Sequence, residues 1–327
     1  MTVIDIHAHV VAGPEVGAYA NSLIAGRGFH GKGHLTISEE SIRRRCDAHI
    51  ESLKEVGTDV QLISPRPFTM MHSFEPPSIV QWYVEEVNDL IARQVEMYPG
   101  VYKGVCGLPQ SPSVEPVRWL DELERCIREH NFVGCLLNPD PTEGQGKMPS
   151  LGDPMWYPVY ERLCELDVPA LIHGAGCTIT RESFHNHFIT EESIAVTSIL
   201  RSDVFEHFPN LKLIVAHGGG SVPYQIGRWR ALNRSYKDGT IDYDEQLRQL
   251  YFDTALYNVE SLDLELKICG TDRCMFGTER PGAGSAFDKD GRSFDDIKPL
   301  IDGLDWLSDS DKHAIYEGTA TELFKLK

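Results

Sequence analysis

His7 and His9 lie two residues apart at the end of the first apolar run of the sequence, Val3-Ile4-Asp5-Ile6. In an extended strand, residues two apart face the same side, so both imidazoles can reach one point. Three more groups of related chemistry end other short apolar runs. His173 follows residues 170–172, His217 follows the run 212–216, and Glu279 follows the run 274–277. Imidazole nitrogen and carboxylate oxygen together suit zinc, iron or manganese. A His-x-His pair alone is weak evidence, since it also serves structural ends. Its recurrence with like groups at the ends of four runs points to a metal centre. The candidate ligands are His7, His9, His173 and Glu279, with one divalent ion, zinc by preference.

These groups can converge only if the runs are neighbouring strands. Eight such runs are visible, at 3–6, 60–64, 102–107, 133–137, 170–172, 212–216, 250–254 and 274–277. Helical segments separate them. Residues 77–98 place Val80, Tyr83, Val84, Val87, Ile91 and Val95 at helical spacing and stop before Pro99-Gly100. Residues 116–129 and 154–166 each start with proline, and 259–268 behaves likewise. Strands alternating with helices predict an α/β fold, a (β/α)₈ TIM barrel with its active site at the carboxyl ends of the strands. A doubly wound open sheet is the structural alternative, but no strand leads into a G-x-G-x-x-G turn or a phosphate loop. No linker divides the chain, so residues 1–327 are expected to form one barrel domain. Two glycine-rich segments, 11–37 and 281–292, read as long loops at the carboxyl end of the barrel, and 308–327 as a closing helix.

The formal net charge is −18 and 41% of the residues are hydrophobic. So acidic a chain repels phosphate backbones and anionic lipid, which argues against nucleic-acid or membrane partners. An anionic substrate would need local arginines or a metal. Arg66 and Arg280 sit at strand ends, and Arg228 lies on the helix after His217. These three are the candidate substrate-binding cations, with Arg230 nearby. The eight cysteines are scattered without a C-x-x-C pair, as expected of core thiols in a reducing cytoplasm. No basic leader precedes the first strand, and a cytoplasmic homo-oligomer, dimer or larger, is the expected state. His49, His72, His130, His207 and His313 read as surface or packing residues. His185 and His187 read as part of a polar loop that could also line the pocket.

The motifs carry a resemblance. IDIHAHV, NDLIARQVEMYPG, GVCGLPQ, ALIHGAG, IVAHGGGSVPYQIGRW and MFGTE occur in the order found in the amidohydrolase superfamily. The chain is similar to the branch that includes aminocarboxymuconate semialdehyde decarboxylase. It departs from most of the superfamily in carrying Glu279 where Asp is usual. The GTERPG segment around that residue resembles the 4-oxalomesaconate hydratase family. That resemblance implies a lyase adding water to a carbon–carbon double bond in bacterial protocatechuate and gallate breakdown, the product being 4-carboxy-4-hydroxy-2-oxoadipate. It implies a small polycarboxylate as substrate.

Hydration of a double bond conjugated to a carboxylate needs a base for water, an electrophile for the developing charge and an acid for the adjacent carbon. Glu279 and His217 are the candidate catalytic pair, Glu279 as base and His217 as acid or hydrogen-bond donor. Three rival readings remain at this level: a metal-dependent non-oxidative decarboxylase of an aromatic or muconate-like acid, a lactone or amide hydrolase, and a metal-binding scaffold without catalysis.

Overall fold

The computed structural model describes residues 1–236 and 243–326. Eight parallel strands form one sheet in the order of the sequence. They are β1 (Ile4–His9), β2 (Val60–Ser64), β3 (Tyr102–Cys106), β4 (Gly134–Leu137), β5 (Ala170–Ile172), β6 (Leu213–Val215), β7 (Tyr251–Asp253) and β8 (Cys274–Met275). The Ile6 N–H donates to the Phe276 carbonyl at 2.9 Å and the Glu279 N–H to the His7 carbonyl at 2.7 Å, bringing the last strand back to the first. All eight runs seen in the sequence are strands. His7 and His9 lie within β1, at its carboxyl end.

Two hydrophobic layers hold the barrel. Inside, Ile4, Ile6, Leu62, Val105, Leu136, Leu171, Ile214 and Met275 pack together, and Leu323 and Phe324 from the chain end join them. Bulky branched side chains from successive strands fill the interior, as a packed barrel requires. The outer layer lies between strands and helices, with Trp119, Trp156, Tyr83 and Tyr160 among its fully buried members.

The helices that position the site are α1 (Pro14–Gly26), α2 (Glu39–Glu55), α3 (Ser78–Met97), α4 (Leu120–Glu129), α5 (Tyr157–Leu166) and α6 (Phe184–Ile199). The prolines at 116 and 154 open single 3₁₀ turns ahead of α4 and α5. The tail is helical from Asp309 to Leu323 with a π-turn at Ala314–Gly318, and Ser308 caps it reciprocally with Asp311.

The segment 11–37 corrects the loop reading. It contains α1, with Pro14 in the first turn and Val16, Tyr19 and Leu23 buried on one face. The intervening glycine, alanine and asparagine diluted the period without removing it. Among the described residues no helix is long and apolar enough to cross a membrane.

Candidate metal centre

β1, β5 and the turns after β6 and β8 bring His7, His9, His173, His217 and Glu279 to one end of the barrel. Ring centroids lie 4.9 Å apart for His7 and His173, 4.8 Å for His173 and His217, and 5.3 Å for His7 and His9. Ligand atoms of His7, His173, His217 and Glu279 all fall within 4.8 Å of one another. His9 Nε2 lies 3.9 Å from Glu279 Oε1, and His217 Nε2 3.7 Å from Glu279 Oε2. Both His217 and Glu279 have left-handed backbones, φ 50° and 60°. For residues with a Cβ this is a strained conformation of the kind that persists at sites where geometry is over-determined.

Each imidazole in the set is held from behind. His7 Nδ1 meets Asp253 Oδ2 at 2.5 Å. His9 Nδ1 meets Ser64 Oγ at 3.2 Å, and His173 Nδ1 meets the Gly174 carbonyl at 2.8 Å. The Nε2 atoms of His7 and His173 are buried and have no hydrogen-bond partner. A histidine that ligates a metal through one nitrogen typically donates the other to a carboxylate or carbonyl, which fixes its tautomer. The orphaned Nε2 atoms, aimed at a carboxylate, are the arrangement a divalent cation would complete.

The electrostatics agree. Burial, reinforced by its histidine neighbours, pushes His173 well below the ordinary imidazole range, and burial lowers His9 to about 4 despite the nearby Glu279 carboxylate. Both rings are therefore neutral, as ligands must be. Burial opposes ionisation of Glu279, but the nearby His217 and His9 imidazoles prevail and hold its carboxyl well below the usual range. Burial also opposes charge on His217. The Glu192 carboxylate, 2.9 Å from His217 Nδ1, outweighs it and raises the imidazole well above its ordinary value.

Three supporting residues escaped the sequence reading. Asp253 ends β7 by the same strand-end rule that found the histidines. Glu192 is buried in the apolar stripe of α6 with Phe188, Ala195, Val196 and Ile199. Tyr257 donates its hydroxyl to Glu279 Oε2 at 2.7 Å, and burial beside that carboxylate keeps the phenol protonated. Deeper in the barrel, Asp5 accepts from the Thr278 N–H and hydroxyl and from Gln61, so it tethers the Glu279 turn to β1 and β2.

A cavity of about 290 Å³ opens over the centre, lined by His9, Arg66, Phe68, His185, Phe188 and Glu279 among others. Arg66 is in place, with its guanidinium donating to the Pro281 carbonyl at 3.1 Å. The other two candidate cations are placed elsewhere. Arg280 turns away from the cavity and pairs through two nitrogens with Asp295, at 3.1 and 2.6 Å, while also donating to Ser293 and the Ser52 carbonyl. Successive residues diverge, so facing the histidine cluster at Glu279 sends the next side chain into the wall. Arg228 is exposed on the helix Ile226–Tyr236, outside the cavity lining, and Arg230 pairs with Asp244.

Arg66 and Arg280 should therefore respond differently to substitution by Met. Arg280→Met breaks a buried ion pair and is expected to cost about 3–5 kcal/mol of stability, read as a lower denaturant midpoint. Arg66→Met should leave stability nearly unchanged and lower kcat/KM for a polyanionic substrate ~10²-fold. Equal effects of the two changes on stability and on kcat/KM would contradict this division. His185 lines the cavity, whereas His187 is buried and meets Glu182 at 3.3 Å. His72 is a buried packing residue bonded to Asn138, which in turn donates to the His173 carbonyl.

The amidohydrolase family pattern matches residues 4–326. This chain belongs to the amidohydrolase family. Among its relatives, the 2-keto-4-carboxy-3-hexenedioate hydratase of Sphingobium sp. is 38% identical, covering 88% of this amidohydrolase and 85% of the hydratase. The crystal structure of 4-oxalomesaconate hydratase from Rhodopseudomonas palustris superposes with a TM-score of 0.90 at 31% identity, covering 99% of this chain and 96% of that one. A dihydroxybenzoic acid decarboxylase from Polaromonas sp., with bound manganese and an inhibitor, shares the barrel at a TM-score of 0.72 and 22% identity, covering 99% of this chain and 97% of that one.

Proposed function

We propose that this amidohydrolase is a hydratase of 4-oxalomesaconate, taken as its isomer 2-keto-4-carboxy-3-hexenedioate, a tricarboxylate with a ketone conjugated to a carbon–carbon double bond. The reading rests on Glu279, an ionised carboxylate steadied by Tyr257 and facing His217 across the centre. It is also supported by the likeness to two hydratases over nearly the whole chain. His7, His9 and His173, with Glu279, would hold one divalent metal. When bound, that metal supplies Lewis acidity toward water and substrate oxygens. Zinc is the metal proposed. The same nitrogen and oxygen donors accept manganese, as the Polaromonas decarboxylase illustrates.

Glu279 takes a proton from water as the water oxygen bonds to the alkene carbon that already bears a carboxylate. The electron pair of the double bond moves toward the ketone as an enolate. His217, with Nδ1 held by Glu192, delivers a proton to the carbon beside the ketone, giving 4-carboxy-4-hydroxy-2-oxoadipate. The reaction consumes one water and conserves all carbon. Arg66 pairs with a substrate carboxylate, and Phe68 and Phe188 exclude bulk water from the cavity. A carboxylate base with a histidine acid is the division of labour that adding water demands. Loss of oxalomesaconate absorbance, carbon dioxide release from dihydroxybenzoates and lactone cleavage, measured side by side, test the reading. Turnover should be confined to the first, and preferential carbon dioxide release would replace it with the decarboxylase reading.

A further inference from the structure

Beside this centre, α6 carries His187 and Glu191 one helical turn apart, so both side chains lie on one face. Asp140, in the loop after β4, faces them. A ring nitrogen of His187 and carboxylate oxygens of Asp140 and Glu191 all lie within 4.8 Å of one another. His187 is 1% exposed. Its Nδ1 is occupied by Glu182 at 3.3 Å, and its Nε2 is buried with no partner. This repeats the arrangement of His7, whose Nδ1 is held by Asp253 and whose Nε2 is likewise unpartnered.

Asp140 is fixed by its own loop, accepting from the Thr142 N–H and hydroxyl and from the Gly144 N–H at 2.7 Å. Among the described residues, neither Asp140 nor Glu191 forms an ion pair with lysine or arginine. Burial, and then the charges of Asp140, Glu182 and Glu192, push the Glu191 carboxyl up to about 7. Several carboxylates thus face one another and a vacant imidazole nitrogen without a neutralising cation.

We propose that Asp140, His187 and Glu191 form a second divalent-metal site, separate from the catalytic one. One imidazole and two carboxylates suit manganese or zinc. An ion there ties the loop after β4 to α6. The first two turns of α6 carry Phe184, His185 and Phe188, which form one wall of the substrate cavity. The second site is a fastener for that wall and takes no part in proton transfer.

Metal-free full-length protein, dialysed to equilibrium against Mn²⁺ and separately against Zn²⁺, provides the test by elemental analysis. Wild type should saturate at two ions per chain. Glu191→Gln, a conservative change at a half-buried position, should saturate at one, as should Asp140→Asn. His173→Ala should lose the catalytic ion and retain the other. Metal beyond the first equivalent should raise the melting temperature of wild type and not of Glu191→Gln, because an ion that binds only the folded state stabilises it. Saturation of wild type at one ion per chain with both metals overturns the site, as does a folded Glu191→Gln that still takes two. If the variants fail to fold, the wild-type stoichiometry and that of His173→Ala decide.

Discussion

Glu279→Gln is expected to keep most of its metal, bind substrate and turn over ~10²–10⁴-fold more slowly, the usual loss when a general base is removed. The amide is nearly isosteric and retains an oxygen that can ligate, but it accepts no proton at neutral pH. Tyr257 can still donate to that oxygen, so the turn after β8 should hold its shape. The separation of kcat from binding is the informative feature. A variant that loses its metal altogether would make Glu279 chiefly a ligand. A variant with full metal and near-normal turnover would transfer the base role elsewhere, with His217 the first candidate.

His173→Ala is expected to abolish activity by emptying the catalytic centre. Its Nε2 is among the orphaned buried atoms, and no other side chain can replace it from the end of β5. Losing an outer partner of a ligating histidine costs ~10–100-fold in metal affinity, and losing the histidine itself should cost more. Asp253→Asn provides the internal comparison, since it weakens the support behind His7 while its remaining oxygen can still accept from the Gly218 and Ala255 N–H groups. Metal titration should rank wild type above Asp253→Asn, and Asp253→Asn above His173→Ala. A His173→Ala protein with wild-type affinity at the catalytic centre would remove that residue from the ligand set.

The barrel was legible because parallel strands buried on both faces read as short apolar runs, and each run here is bounded by helical periodicity. The histidines and Glu279 that cluster at the barrel end were legible through their position at the ends of those runs. Asp253 obeys the same rule in the structure, but in the sequence it sits inside the apolar run 250–254 and not after it. Glu192 carried a subtler signal. It occupies a core position in the period of α6, where an acid has to be paired, and its partner His217 is distant in sequence. Tyr257 lies in a loop, and no pattern in the chain announces that its hydroxyl reaches Glu279. Arg280 was misplaced for a related reason. Adjacency to Glu279 suggested a shared direction, while the left-handed backbone at Glu279 and the acceptor at Asp295 are properties of the folded chain alone. Conversely, α1 was lost among glycines, although Pro14, Val16, Tyr19 and Leu23 spelled it out.

Mass analysis of the product formed from oxalomesaconate in heavy-oxygen water bears most directly on the assignment as a hydratase. Metal-loaded protein should yield 4-carboxy-4-hydroxy-2-oxoadipate carrying one solvent oxygen as its tertiary hydroxyl, with every carbon of the substrate retained. A product short of one carbon, with carbon dioxide released, or oxalomesaconate recovered unchanged under conditions where the metal centre is full, would contradict it.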